Sequence, residues 1–483
     1  MQKNNRTIFV SGNFDILHPG HIRLLKFAKE CGDKLVVAVN SDTKMAGKSR
    51  VEEQHRLEMV RSLECVDEAF LTSSSTVDIV TDIKPHAVVK GKEFECKHNP
   101  EQDILDSNGG QLIFGSGEFE SNAENFIRRQ PMLGSNFDFR EAKSFAKRHG
   151  ITPVMVKDVF SKFSQLKVAV IGEVIVDRYI QGTAVGLSQE DPTIVMTPDR
   201  TDTFLGGAAI TAGHIKSIGA KKVTLLSVLG QDKQAEYCHE KIADYQIVSE
   251  FVTDLSRPTP LKTRYRAGSK TLLRVNELRQ HKISKALQNE LLNRLETIID
   301  DLDLLVFSDF NYGVLPQTLV ERICQLCEKN NITMVADSQT SSQVGDISRY
   351  RNMTLITPTE KEVRVALNNT DDGLPILAQK LCDIAQPKNL VVTLGSEGIF
   401  IHIPANETQW ENDKLPAIHR NAMDPAGAGD CFLATSSMAL CCGASPWMAF
   451  YLANVAAACQ VDTVGNTPLH SNMLLDSVMT SFK

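Results

Sequence analysis

The chain has 483 residues, 42% of them hydrophobic and 23% charged, with a formal net charge of −7. Those ordinary globular values exclude a disordered or fibrous protein, and the mildly acidic balance excludes the bulk electrostatics of a nucleic-acid binder. The length suits two or three domains, and either half is long enough to bury its own core. The N-terminus, MQKNNRTIFVSGNFD, holds no long apolar run, so no signal peptide is expected. The late apolar stretch LANVAAACQV is too short to span a bilayer, so no membrane partner is expected. The 11 cysteines form no regular framework and read as reduced thiols of a cytoplasmic protein. Cys324 and Cys327 form a C-x-x-C inside the helix-like VERICQLCEK, and no second pair exists to complete a zinc site, so they read as core packing.

In chain order, TIFVSG predicts a short buried strand and HIRLLKFAKECG an amphipathic helix. KLVVAVNSD predicts a second strand and EEQHRLEMVRSL a second helix. VDEAFLT, TVDIVTDIK, HAVVKG, QLIFGSG and NAENFIRRQ continue the alternation, which predicts a parallel sheet with helices on both faces. The pattern weakens from Pro131 to Ser164, where PMLGSNFDFREAKSFAKRHG can hold one helix before a polar stretch, and LKVAVIGEVIVDRY then restarts it with a buried strand. The expected organisation is therefore α/β in two domains, 1–130 and 165–483, joined by a linker over 131–164.

SGNFDILHPGHIRLL follows the first strand and opens the first helix. Gly12 permits a sharp turn, and Gly20 sits where the helix begins. A helix N-terminus offers free N–H groups and the positive end of the dipole to a phosphate chain. His18 and His21 are three apart, so both can face that phosphate and donate to charge spreading onto its oxygens. The pair could instead ligate a metal, but no third ligand of suitable spacing is evident. FDILHPGH resembles the H-x-G-H signature of the nucleotidyltransferase superfamily, in its cytidylyltransferase branch. The resemblance covers residues 6–130 and continues through VAVNSDTK, GKSRVEEQHR and VVKGKEF. It implies a Rossmann-like domain with an NTP, ATP in preference to CTP, held by Gly12, Phe14, His18 and His21. Asp42, Lys44, Arg56 and Lys90 would lie close to it, and Asp15 on the substrate side. The family's hydroxyl-rich helix start is here GEFESNAENFIRR. Ser121 and Asn122 can cap that helix, and Ser121 is a further nucleotide candidate, but the hydroxyl pair is missing.

MDPAGAGDCF, residues 423–432, is the second strong signal. Gly427 and Gly429 flank Ala428 and let N–H groups converge on an oxyanion where a helix begins, so Ala426, Gly427, Ala428 and Gly429 become nucleotide-side candidates. Asp430 at the edge of that nest can take a proton from a hydroxyl attacking the γ-phosphate. No G-x-x-x-x-G-K-[ST] occurs, so this is not a P-loop site. The segment resembles the G-A-G-D signature of the ribokinase, or PfkB, carbohydrate kinases, over about residues 165–475. LGGAAITAGHIKSIGA resembles that family's first signature, with Gly206 and Gly207 near the sugar. VVTLGSEGIFI resembles its nucleotide-side segment, with Thr393, Gly395 and Gly398 close to ATP. The resemblance implies an α/β/α domain with a small β lid, working on Mg-ATP.

VIGEVIVDRYIQG, SDFNYGVL and RYRNMTLITPTEKEV resemble the heptose 7-phosphate kinase branch. The chain as a whole resembles the bifunctional heptose 7-phosphate kinases and heptose 1-phosphate adenylyltransferases of ADP-heptose synthesis, with the domain order reversed. Asp177 would then hold sugar hydroxyls, although it could merely cap a turn. Arg264 and Arg274 would pair with a sugar phosphate, or be surface arginines of the lid. Ile210 stands where the family usually has Asn, and Tyr312 where it has Lys. The family's N-x-x-E appears as Thr359 to Glu362, leaving Glu362 as the metal-side candidate. Ile210 and Tyr312 are expected to remove sugar-side polar contacts. The expected activity is sugar phosphorylation followed by nucleotidyl transfer, on small-molecule sugar phosphates and nucleotides, with self-association by analogy. Two alternatives stay open: another sugar or polyol phosphate activated with CTP, or a working transferase carrying a weak kinase-like regulatory module.

Overall fold

The computed structural model describes residues 6–15, 17, 19–45, 51–91, 99–115, 137–188, 190–191, 193–268, 270–340, 345–405, 409–419, 422–463 and 465–482. Two compact units divide the chain. One comprises Met1–Ser135, Ala366–Ile384 and Ile399–Leu415, the other Asn136–Val365, Ala385–Gly398 and Pro416–Lys483.

In the first unit, β1 (Thr7–Gly12), α1 (Pro19–Glu30), β2 (Lys34–Asn40), α2 (Glu53–Arg61), β3 (Glu68–Thr72), α3 (Thr76–Ile83), β4 (Ala87–Gly91), α4 (Gln102–Asn108) and β5 (Gln111–Gly115) alternate as expected. The strands run parallel in the order β3-β2-β1-β4-β5. Phe9, Val36, Ala38 and Val88 of the strands pack with Val80 of α3 and Leu105 of α4 in one core. Ser75 starts α3 with a capping box: its hydroxyl accepts from the Asp78 N–H, and the Asp78 carboxylate accepts from the Ser75 N–H. The strand order reverses between β1 and β4. Ligands of such sheets bind at that switch point, at the carboxyl ends of the strands, and Gly12 ends β1 there, with α1 starting at Pro19.

The second unit carries a parallel sheet in the order β10-β9-β6-β13-β14-β15-β16. These strands are β6 (Lys167–Gly172), β9 (Lys222–Leu229), β10 (Val248–Thr253), β13 (Leu304–Asp309), β14 (Thr333–Ser338), β15 (Leu355–Ile356) and β16 (Leu390–Thr393). A separate four-stranded sheet, β12-β11-β7-β8, is the β lid. It is built from β7 (Val174–Leu187), β8 (Ile194–Gly207), β11 (Leu261–Ala267) and β12 (Lys270–Glu277). The inner half of β7 is buried and the outer half exposed.

The expected linker differs. Residues Arg140–Arg148 and Pro153–Phe163 are helices of the second unit. The first buries Ala142, Phe145 and Ala146, and the second buries Val156, Val159 and Phe163. Phe145 stacks on Tyr451, with ring centroids 6.4 Å apart. Thr152 caps the second helix by accepting from the Met155 N–H, with Pro153 in its first turn. The apolar residues sit at helical spacing inside a polar run, which hides them from a reading by composition. Cys324 and Cys327 sit on the helix Gln317–Lys329 as expected, and burial pushes both thiols up to about 12, where they are inert.

Candidate active sites

In the first unit, Gly12 ends β1 and Phe14 follows in the left-handed region at φ 46°. A Cβ on Gly12 would stand 3.0 Å from the Phe14 ring. The Phe14 ring lies 5.2 Å from that of His21, in the first turn of α1. A non-glycine residue held at positive φ beside a helix N-terminus is strain of the kind found at ligand clamps. Asp15 accepts from the Val51 N–H at 3.1 Å. His18 and Ser121 lie outside the described residues.

The cations assigned to the nucleotide are bound to the fold. Arg56 is 0% exposed. Its Nε donates to the Val51 carbonyl, its Nη1 to the Asn13 and Asn40 carbonyls, and its Nη2 to Asp42 Oδ1 at 2.5 Å. The other Asp42 oxygen accepts from the Glu53 N–H at 3.2 Å. Arg56 thus ties the ends of β1 and β2 to the start of α2. Lys44 Nζ donates to the Ser74 carbonyl, and burial lowers its pKa. Lys90 Nζ donates to Asn99 Oδ1 at 2.8 Å and pairs with Glu101.

In the second unit the predicted residues converge. Asp430 stands in the first turn of the helix Ala428–Cys441, and Gly427 caps that helix in the left-handed region at φ 79°. The Asp430 carboxylate is 6% exposed and accepts from Thr211 Oγ1 at 3.0 Å. Its pKa is pushed up to about 7: burial raises it most, the Thr211 hydroxyl holds it down, Asp177 adds to the rise and Lys262 opposes it. Asp177 on β7 accepts from Arg264 Nη1 at 2.5 Å and from Asn466 Nδ2 at 3.1 Å. The glycine pair is explained by close approach. A Cβ on Gly206 would stand 2.3 Å from Asp177 Oδ2, and one on Gly207, at φ 62°, 2.3 Å from the Glu173 carbonyl. Arg264 is therefore committed to Asp177, while Arg274, its register partner on β12, is exposed.

Thr393 ends β16, and its N–H donates to the Pro358 carbonyl. Gly395 and Gly398 follow at φ 59° and 95°. Ala426 N–H donates to Asp424 Oδ1 at 3.2 Å, and a Cβ on Gly429 would meet nothing within 4 Å. Glu362 and Thr359 form a capping box. Glu362 Oε2 accepts from the Thr359 N–H at 2.7 Å, and Thr359 Oγ1 accepts from the Glu362 N–H at 3.3 Å. Glu362 Oε1 accepts from the Thr340 N–H at 2.6 Å. Ile210 and Tyr312 are wholly buried, so neither offers a surface from which a sugar contact would be missed.

Sequence reasoning missed Thr211, Asp337, Asn466 and Lys262. Asp337 lies near the carboxyl end of β14, where ligands of open parallel sheets bind, and that position was a usable signal. Burial pushes it well above the usual carboxylate range, and the neighbouring Glu362 and Asp430 push it further. A divalent cation beside Asp337 would relieve that repulsion. Among the described residues no group of three or more such side chains forms a ready cage. A cavity of about 580 Å³ lies elsewhere, lined by Gly213, Tyr245, Gln460, His470 and Met473 among others, and none of the candidate site residues lines it.

Residues 165–472 match the family model described as pfkB family carbohydrate kinase, and residues 9–112 the one described as Cytidylyltransferase-like. The chain is 29% identical over 309 residues to the Bifunctional protein HldE of Desulfatibacillum aliphaticivorans, covering 63% of this chain and 61% of that protein. It is 30% identical over 315 residues to the HldE of Koribacter versatilis, covering 64% and 63%. The matches thus span less than two thirds of these relatives, whose domain order is the reverse of the one here. Escherichia coli phosphofructokinase-2 in complex with potassium gives a TM-score of 0.55 at 15% identity, over 66% of this chain and 100% of that one. Arabidopsis thaliana ribokinase complexed with ribose and ATP gives 0.50 at 15%, over 65% and 99%. At such identities the likeness is one of fold. Among the described residues no helix is long and apolar enough to cross a membrane.

Proposed function

The chain belongs to the pfkB family of carbohydrate kinases, and from that premise we propose that it is a bifunctional transferase making a nucleotide-activated sugar. The second unit phosphorylates a sugar phosphate of the heptose 7-phosphate type at its anomeric hydroxyl. A separate phosphatase hydrolyses the 7-phosphate of the resulting bisphosphate, and the first unit then lets the sugar 1-phosphate attack the α-phosphate of an NTP, ATP in preference to CTP, and pyrophosphate leaves. The observation that carries this reading is the buried Asp430 carboxylate, held by Thr211 at a helix start and within the field of Asp177.

Asp177, fixed by Arg264 and Asn466, orients the sugar hydroxyls. Asp430 takes the proton of the hydroxyl that attacks the γ-phosphate. The N–H groups at the start of Ala428–Cys441 face the charge that develops on the transferred group. Asp337 and Glu362 would hold Mg²⁺, which would neutralise phosphate charge. In the first unit, the backbone after β1 and His21 would face the NTP, on a frame that Arg56 and Asp42 hold.

The test follows ADP and pyrophosphate release separately, with Mg-ATP and a panel of phosphorylated sugars including heptose 7-phosphate. One sugar is expected to give ADP. Asp430→Asn should lower that rate by roughly 10²–10⁴-fold and leave pyrophosphate release from a sugar 1-phosphate intact. No ADP with any sugar, together with pyrophosphate release, would make the second unit a sensor and the first the only enzyme.

A further inference from the structure

Lys262 lies on β11, and its register partner on β7 is Asp177. It is 8% exposed. Its Nζ rests 5.1 Å from the centre of the Phe310 ring and 5.3 Å from that of Tyr312. Those two rings are fixed from behind: the Phe310 and Tyr312 N–H groups donate to the buried Glu173 carboxylate at 2.7 and 3.1 Å. Among the described residues no carboxylate stands within ion-pair distance of the Lys262 ammonium. The two arginines further along the same strand differ. Arg264 is paired with Asp177 at 2.5 Å, and Arg266 with Asp424 at 3.6 Å.

A buried ammonium ordinarily has an anionic partner, and ring faces replace one only in part. The Lys262 charge is also felt at Asp430, which it pulls down against burial. Any anion that completes Lys262 is thus bound on the strand pair that carries Asp177. We propose that Lys262 is an anion-binding residue of the kinase site that takes a phosphate group of the reactants. A compact ammonium on a long stem suits phosphate as a point charge. That phosphate is either the acceptor's own or the phosphoryl group in transfer. The inference rests on the kinase reading above.

Steady-state kinetics of the full chain with Mg-ATP and the phosphorylated acceptor test it, with Lys262→Met, Lys262→Gln and Lys262→Arg. The neutral variants should lose roughly 10- to 100-fold in kcat/KM, and Lys262→Arg should recover part of it. A rise in the acceptor's KM at unchanged kcat assigns the acceptor's phosphate. A fall in kcat at unchanged KM assigns the group in transfer. Unchanged kcat/KM in a neutral variant that melts like the parent overturns the inference and leaves the kinase reading standing. If the parent turns over no sugar, the kinase reading fails, and inorganic phosphate becomes the probe. It should then raise the melting temperature of the parent and not of Lys262→Gln; an equal shift, or none in either, overturns the inference.

Discussion

The two candidate sites hold their polar side chains in opposite ways. In the first unit the charged groups that look like nucleotide ligands are tied into the frame. Arg56 alone bonds three carbonyls and the Asp42 carboxylate. In the second unit the charged groups face one another across glycines, and burial pushes Asp430 and Asp337 above the usual carboxylate range. A cation whose donors go to the frame around it reads as scaffold. A carboxylate kept in an unfavourable field is poised for a proton or a cation. Charge near a motif therefore says little until its bonds are counted.

The sharpest way to break the comparison is Arg56→Met. Removing one partner of a buried pair and stranding three carbonyls should destabilise the first unit by about 3–5 kcal/mol. Denaturant unfolding should show that unit lost, with pyrophosphate release gone and ADP release kept. If Arg56 instead grips the triphosphate, stability will hold and only the KM for the NTP will rise.

Gly206→Ala probes the second site with a smaller effect. The added Cβ, 2.3 Å from Asp177 Oδ2, must push that carboxylate off Arg264 and Asn466. A displacement of about 1 Å costs on the order of 10²-fold in rate, so kcat/KM for ADP release should fall by about that factor. Pyrophosphate release should not change. Full kinase activity in this variant would remove Asp177 from the sugar's side.

Much of this was legible in the sequence. Buried strand runs gave the sheets, and the glycine pair at 206–207 and the GAGD at 427–430 pointed to the close approach at Asp177 and to the helix start at Asp430. Arg56 shows what spacing leaves open, because spacing cannot tell whether a cation points at a ligand or at its own backbone. Asn466 was invisible because it meets Asp177 only through the tertiary fold, 289 positions away. Thr359 and Glu362 carried a T-x-x-E signal at a helix start, so their capping role could have been read beside the metal role. The helix at 140–148 lies inside the one helix that PMLGSNFDFREAKSFAKRHG offered, whereas the helix at 153–163 was hidden because its apolar residues alternate with polar ones, although Thr152-Pro153 is a helix-start signal.

The finest distinction between the sites is pH dependence. Asp430 sits at about 7 because burial penalises its charge. As the base it must be ionised, so kcat/KM for ADP release should climb about tenfold per pH unit up to pH 7 and level off above. The stability of the second unit should move the other way. A carboxylate raised in the folded state favours the protonated form. Its contribution is complete below the unfolded value of 3.8 and is lost as the pH rises through about 7. Asp430→Asn removes that titration, so comparing its denaturant unfolding with the parent's at pH 4 and pH 8 isolates the term. The parent should lose stability relative to the variant between the two. Parallel curves, or an activity limb near pH 4, would mean that Asp430 is hydrated in solution and lacks the buried character that separates this site from the first.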